Sequence, residues 1–285
     1  MELSAIKTIG VIGAGTMGSG IAQMSAMAGY QTILFDIDEK AVTKAAETIK
    51  KNLQKGIEKG KVTEEQKKAT LAKLTYTNDL QVVKAGFIIE AVVEKLAVKH
   101  ELFIKLEEIN NNNTILATNT SSIPITQIAA PLKRSENCVG MHFFNPAHIM
   151  KLVEVISGAA TNPEVANLTK ALAENMGKKA VMAKDSPGFI VNRVARHFYV
   201  EGLKVVEDNV ANFEQVDKLM QASGFKMGPF QLMDLIGVDT NFSVTTSMFN
   251  SFYQDAKFRP SRIQQQKVDA GHHGRKAGKG FYDYE

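Results

Sequence analysis

Gly13-Ala14-Gly15-Thr16-Met17-Gly18 lies between the β-branched, apolar run Thr8-Ile9-Gly10-Val11-Ile12 and a helix-compatible stretch over residues 21–28. Strand, tight turn and helix in that order open an α/β fold. The next strand-like run, residues 31–35, ends at Asp36, 21 positions after Gly15. Glycine triplets at this spacing arise by chance, but an acid closing the following strand turns the pattern into a dinucleotide fingerprint. Gly13 allows the turn, Gly15 lets the backbone approach a pyrophosphate, and Gly18 lets helix and sheet pack closely. The helix N-terminus then offers N–H groups and partial positive charge to the phosphates. Asp36 would accept hydrogen bonds from the adenosine ribose hydroxyls and repel a 2′-phosphate, so NAD is expected over NADP. Ile37-Asp38 supplies no arginine that would reverse the preference.

Strand-like runs recur at residues 87–93, 114–117, 139–144, 151–156 and 180–183, with helical stretches at 95–109 and 125–130. Residues 39–74 read as two long Lys/Ala/Glu-rich helices joined near 60–63. The alternation predicts a Rossmann-type, doubly wound, mainly parallel sheet covered by helices on both sides. Past Lys184 the pattern is helical only, over residues 188–210, 213–223, 230–252 and 261–270. Pro and Gly punctuate the chain at Asp185-Ser186-Pro187-Gly188, which places an NAD-binding domain at 1–184 and an all-helical domain at 185–285.

A chain of 285 residues with 44% hydrophobic content can fill two cores. No apolar stretch reaches the roughly 18–20 residues that a membrane span needs. Residues 1–7 lead straight into the first strand rather than forming a secretory signal, so a cytoplasmic location is expected. Cys138, the single cysteine, cannot form an intrachain disulfide and reads as a small buried side chain rather than a catalytic thiol. No metal site is expected. The net charge of +4 is unevenly spread, with ten lysines against five acids between Glu39 and Tyr76. Such a local surplus, without interleaved aromatics over a wide face, argues against nucleic acid and points to one localised anionic partner.

Taking hydride from a secondary alcohol requires a base for the hydroxyl proton, and histidine titrates nearest neutrality. Of six histidines, His142 stands in Met141-His142-Phe143-Phe144-Asn145-Pro146 at the end of an apolar strand, where open α/β sheets bind ligands. Glu154 follows inside Leu152-Val153-Glu154-Val155-Ile156, where a carboxylate is costly unless paired. An imidazole that becomes cationic in turnover would be a fitting partner. Spacing alone leaves equally open a core histidine beside an unrelated edge-strand glutamate.

These motifs, with Asn119-Thr120-Ser121-Ser122, Lys151-Leu152-Val153-Glu154-Val155, Asp185-Ser186-Pro187-Gly188-Phe189-Ile190-Val191-Asn192-Arg193 and Gly278-Lys279-Gly280-Phe281-Tyr282, closely resemble the L-3-hydroxyacyl-CoA dehydrogenases. The chain especially resembles the stand-alone bacterial 3-hydroxybutyryl-CoA dehydrogenases, and the resemblance runs over essentially the whole chain. It implies NAD-dependent interconversion of 3-hydroxyacyl-CoA and 3-ketoacyl-CoA, with His142 and Glu154 as the catalytic dyad. Ser121 and Asn192 look like the groups that hydrogen-bond the substrate oxygens, a role their non-titrating donors suit. Read without the family, a turn or helix cap is the plainer role for either.

The same resemblance puts Glu94 near the nicotinamide, makes Lys99, Asn145 and Lys276 lesser cofactor contacts, and aligns Lys59 with a coenzyme A contact. Lys59 belongs with Lys50, Lys51, Lys55 and Lys61 to a surface suited to the coenzyme's phosphates, although lysine-rich helices are more often plain solvated faces. A homodimer formed through the helical part is expected, since its apolar content is high for about a hundred residues. Two rival readings are an NAD enzyme acting on a free 3-hydroxy acid, with its catalytic lysine in the helical domain, and a non-catalytic, crystallin-like NAD-binding protein.

Overall fold

The computed structural model describes residues 2–285, which fall into two compact units divided between Ser186 and Pro187. The first is built on an eight-stranded sheet in the order β3-β2-β1-β4-β5-β6-β7-β8. Its strands are β1 (Thr8–Ile12), β2 (Gln31–Phe35), β3 (Leu74–Thr77), β4 (Phe87–Glu90), β5 (Ile115–Thr118), β6 (Cys138–Phe143), β7 (Leu152–Ser157) and β8 (Lys179–Lys184). The helices of this unit are α1 (Thr16–Met27), α2 (Glu39–Glu58), α3 (Glu64–Leu71), α4 (Leu96–Ile109), α5 (Ile125–Ala129) and α6 (Pro163–Asn175). All neighbouring strands run parallel except β6 and β7. Strands β4, β5 and β6 are buried at every residue, as expected of sheet covered on both faces. Helix α2 packs through Val42, Ala45, Ile49 and Leu53, one stripe at three- and four-residue steps, and its first turn is capped by the Asp38 carboxylate accepting from Lys40 N.

Three elements differ from the sequence expectation. The second lysine-rich helix, α3, is only eight residues long, and Leu74 begins an edge strand instead of ending a helix. Helix α6, opened by the Asn162 cap with Pro163 in its first turn, fills the interval between β7 and β8. The long helix expected at 230–252 is two helices, because Gly237 adopts φ +105° and breaks the run.

The second unit holds α7 (Val191–Glu207), α8 (Phe213–Ala222), α9 (Pro229–Ile236), α10 (Val238–Ser251) and α11 (Arg262–Asp269). Tyr199, Leu203, Phe230, Met233, Val238 and Phe281 form its core. Two buried carboxylates fasten its C-terminal segment. Asp234 accepts from Phe281 N, Tyr282 N and the Tyr284 hydroxyl; Asp217 accepts from Phe230 N, Gln231 N and, at 2.7 Å, the Tyr282 hydroxyl. Among the described residues no helix is long and apolar enough to cross a membrane.

Candidate active site

The glycine turn closes β1 at the switch point of the sheet, with β2 on one side and β4 on the other. Gly13 has φ +102°, and a Cβ there would lie 2.6 Å from Ala91 O; at Gly18 a Cβ would lie 1.7 Å from Gly13 O. Packing therefore demands both glycines. Gly15 differs, since nothing lies within 4 Å of where its Cβ would be. The fold does not require a glycine there, and the open space at the N-terminus of α1 suits a phosphate. Asp36 Oδ2 accepts from Ala14 N at 2.7 Å and Oδ1 from Asp38 N at 3.0 Å, which fixes the carboxylate beside the turn. These features fit a dinucleotide.

The carboxyl ends of β4, β5 and β6 share the edge on which the glycine turn lies, with Ile12 level with Glu90 and Glu90 level with Thr118. His142 lies near the end of β6, directly opposite Glu154 of the antiparallel β7. Opposed side chains on one sheet face have Cβ atoms about 5 Å apart. Accordingly, His142 Nδ1 and Glu154 Oε2 are 2.8 Å apart, with both residues buried. The His142 ring also tilts against Phe144 at 4.6 Å between centroids.

Ser121 lies in the turn after β5, and Glu94 gathers that turn. Its Oε1 accepts from Thr120 Oγ1 at 2.6 Å, Ser121 N at 2.9 Å and Ser122 N at 3.2 Å. Burial pushes the Glu94 carboxyl up, but the Lys99 ammonium and the hydrogen bonds from Thr120 and Ser121 outweigh it and hold the group below the usual carboxylate range. Lys99 is almost fully buried, and its ammonium pairs with Glu94 at 3.2 Å and with Glu90 at 2.6 Å. Glu90, at the end of β4, was not singled out by the sequence; a lone acid closing an apolar strand was the available signal. Asn119 Oδ1 accepts from Phe143 N and ties the serine turn to β6.

The loop after β6 carries Asn145, exposed, and Ala147, which packs on Gly20 of α1. Lys178 fastens this loop by donating to Ala147 O at 2.6 Å and Met150 O at 2.7 Å. A pocket of about 440 Å³ lies between the loop, the glycine turn and α2, with Ser19, Lys44, Thr48, Asn52 and His148 among its walls. Lys59 is exposed at the end of α2. A wider, open hollow of about 660 Å³ beside Lys7, Lys84 and Asn110 lies at the amino ends of the strands, the edge where such sheets do not bind ligands. In the second unit, Asn192 lies in the first turn of α7, and Lys276 pairs with Asp239 at 2.7 Å. Cys138 is fully buried, and burial followed by the charge of Glu90 pushes its thiol far up, which leaves it inert. Among the described residues no cluster of three or more His, Cys, Asp and Glu could hold a metal ion.

Two family models match the chain: the NAD binding domain of 3-hydroxyacyl-CoA dehydrogenase over residues 8–186, and the C-terminal domain of 3-hydroxyacyl-CoA dehydrogenase over 188–284. The chain is 47% identical to a 3-hydroxyadipyl-CoA dehydrogenase of Escherichia coli over 98% of its own length, and spans 59% of that longer protein. It is 44% identical to a probable 3-hydroxybutyryl-CoA dehydrogenase of Bacillus subtilis, with 98% of each chain covered. The crystal structure of an (S)-3-hydroxybutyryl-CoA dehydrogenase from Ralstonia eutropha superposes with a TM-score of 0.95 at 37% identity, covering 99% of this chain and all of that one.

Proposed function

Because the chain belongs to the 3-hydroxyacyl-CoA dehydrogenase family, we propose that it interconverts (S)-3-hydroxyacyl-CoA and 3-ketoacyl-CoA with NAD(H), and that the four-carbon pair 3-hydroxybutyryl-CoA and acetoacetyl-CoA is its substrate. The observation that carries this reading is the buried 2.8 Å contact between His142 and Glu154, at the sheet edge that also holds the glycine turn. The names of the full-length relatives support the four-carbon choice.

With Nδ1 donating to the Glu154 carboxylate, the His142 ring presents Nε2 as the base that takes the 3-hydroxyl proton. Glu154 stabilises the imidazolium so formed. Ser121 and Asn192 donate to the substrate oxygen and stabilise its developing charge. NAD, when bound, supplies the hydride acceptor. Gly15 would leave room for its pyrophosphate in the turn that Gly13 and Gly18 shape, and Asp36 would accept from its ribose; Glu94, Asn145 and Lys276 would be the further cofactor contacts, with Lys99, buried against Glu90 and Glu94, acting through Glu94. Ketone reduction runs the same proton movements in reverse.

Lys59 contributes to holding the coenzyme A phosphates. The first unit serves as the cofactor domain. The second, with Val194, Leu219, Phe225 and Leu235 half or more exposed, serves substrate binding and homodimerisation. The cytoplasm is the proposed location, where a lone buried thiol stays reduced. An assay of NADH oxidation with acetoacetyl-CoA, against free acetoacetate and NADPH, tests the reading. Turnover confined to acetoacetyl-CoA with NADH is expected; equal turnover of free acetoacetate would make the protein a free-acid enzyme, and no turnover would make it a binding protein.

A further inference from the structure

We infer that Glu90 is a positioning residue for this chemistry, acting through Lys99 and Glu94 to hold the turn that carries Ser121. The inference rests on the proposed role of Ser121 toward the substrate oxygen.

Glu90 is fully buried at the end of a strand whose other residues are apolar. A charge in that place costs several kcal/mol unless its partners compensate, and here they come from three segments. Val92 N donates to Oε1 at 2.7 Å from the residues just past β4, Lys99 Nζ to the same oxygen at 2.6 Å from α4, and Thr118 Oγ1 to Oε2 at 2.7 Å from β5. Glu90 thus fixes β5 and α4 relative to β4 at the carboxyl edge. The Thr118 hydroxyl in turn accepts from Thr120 N at 3.2 Å, and Glu90 O accepts from Asn119 N at 2.7 Å. The second path runs through charge. Lys99 bridges Glu90 to Glu94 Oε2, and the other oxygen of Glu94 takes the amides of Ser121 and Ser122.

Two carboxylates share one ammonium in this cluster, and the shorter contact belongs to Glu90. That division keeps Glu94 free to serve the serine turn. Were the charge on Glu90 removed, Lys99 and Glu94 would become each other's sole counter-ions. Their attraction would draw the Glu94 carboxylate onto Nζ and away from the two amides. The Ser121 hydroxyl would then lose its fixed approach to the substrate, while Asp36, held by Ala14 N and Asp38 N, would be undisturbed.

Glu90→Gln, nearly isosteric, separates the two effects. Amide hydrogen exchange at Ser121 and Ser122 is expected to quicken about tenfold, with the β1 and β2 amides unchanged. Acetoacetyl-CoA turnover should fall about tenfold, and in a Ser121→Ala background the same change should cost under about twofold. Unchanged exchange at Ser121 and Ser122, or a full loss retained in the Ser121→Ala background, would overturn the inference. Exchange requires no substrate, so quickened amides in a protein inactive on every thioester would sustain the positioning and sink the substrate reading instead. Should Glu90→Gln fail to fold, Thr118→Val removes one bond to the same carboxylate and should give the same pattern in smaller measure.

Discussion

His142 and Glu154 face each other across the antiparallel junction of the sheet, and the strand pairing itself sets the 2.8 Å contact between them. Neither residue depends on a loop for its place. Their strands are joined by residues 144–151, too short for the helical crossover that a parallel pair needs, so the short connection enforces the antiparallel register that makes the dyad.

His142→Gln keeps the size of the side chain and a donor toward Glu154 but removes the base. Turnover of acetoacetyl-CoA should fall about 10³-fold, within the range seen for loss of a general base, while NADH titration gives an affinity close to that of the parent. Glu154→Gln should cost about 10²-fold or more, because the imidazolium loses its counter-charge and the ring its tautomer. Undiminished turnover in His142→Gln would remove the dyad from the mechanism.

Asp36→Asn keeps an oxygen able to accept from Ala14 N but discards the negative charge beside the ribose. The ratio of kcat/KM for NADH to that for NADPH should narrow about tenfold, since the repulsion of a 2′-phosphate is what the carboxylate supplies. An unchanged ratio would mean that the shape of the turn, and not its charge, excludes NADPH.

How far these assignments were legible depended on whether the signal lay along the chain or across it. Gly13, Gly15, Gly18 and Asp36 are near in sequence, and their roles follow from one strand-turn-helix-strand unit. Strand β3 was hidden because the alternation of Leu74-Thr75-Tyr76-Thr77 covers only four residues, too few to establish a period, and directly follows a lysine-rich helix. Asn162-Pro163-Glu164 is a helix-start signal that went unused. Glu90 and Lys99 could not be read as a pair, since a glutamate ending a strand and a lysine opening a helix are unremarkable until the fold buries both.

Lys59 is exposed at the end of α2, so its charge can act on a phosphate only through solvent-screened attraction. Lys59→Glu should raise KM for acetoacetyl-CoA about fivefold at low salt with kcat unchanged, the difference shrinking as salt rises. The acyl-pantetheine analogue, which lacks the 3′-phosphate, should show no such change; an equal rise for both would place Lys59 elsewhere than on the coenzyme.

Tyr282 donates to Asp217, which is buried, at 2.7 Å, and burial followed by that bond pushes its phenol far up. Tyr282→Phe should lower the stability of the second unit by about 1.5–3 kcal/mol, the cost of a hydrogen bond to a charged group, read from the urea midpoint. Asp217→Asn should cost at least as much, because two backbone donors at the start of α9 depend on the same carboxylate. A midpoint unmoved by either change would mean that the C-terminal segment is not fastened at this point.

Lys178 is a buried cation with two carbonyl partners and, among the described residues, no carboxylate within ion-pairing distance. Burial pushes its ammonium down from 10.5 to about 8. The charged form is therefore disfavoured in the folded state, and that cost is fully present below pH 8. Between about pH 8 and 10.5 the folded protein releases this proton before the unfolded chain does, so the group's contribution to stability rises with pH and levels off once both states are neutral. The neutral amine keeps two N–H donors, enough for Ala147 O and Met150 O, so the loop stays fastened as the charge leaves. His148 is already neutral in this window, because burial and then the charge of Lys178 hold its imidazole below the usual value. Urea midpoints of the parent and of Lys178→Met, compared at about pH 7.5 and 9.5, should show the parent gaining on the variant at the higher pH. Parallel profiles would mean that the buried ammonium carries no penalty, and a parent that loses ground would mean that its charge stabilises the loop after β6.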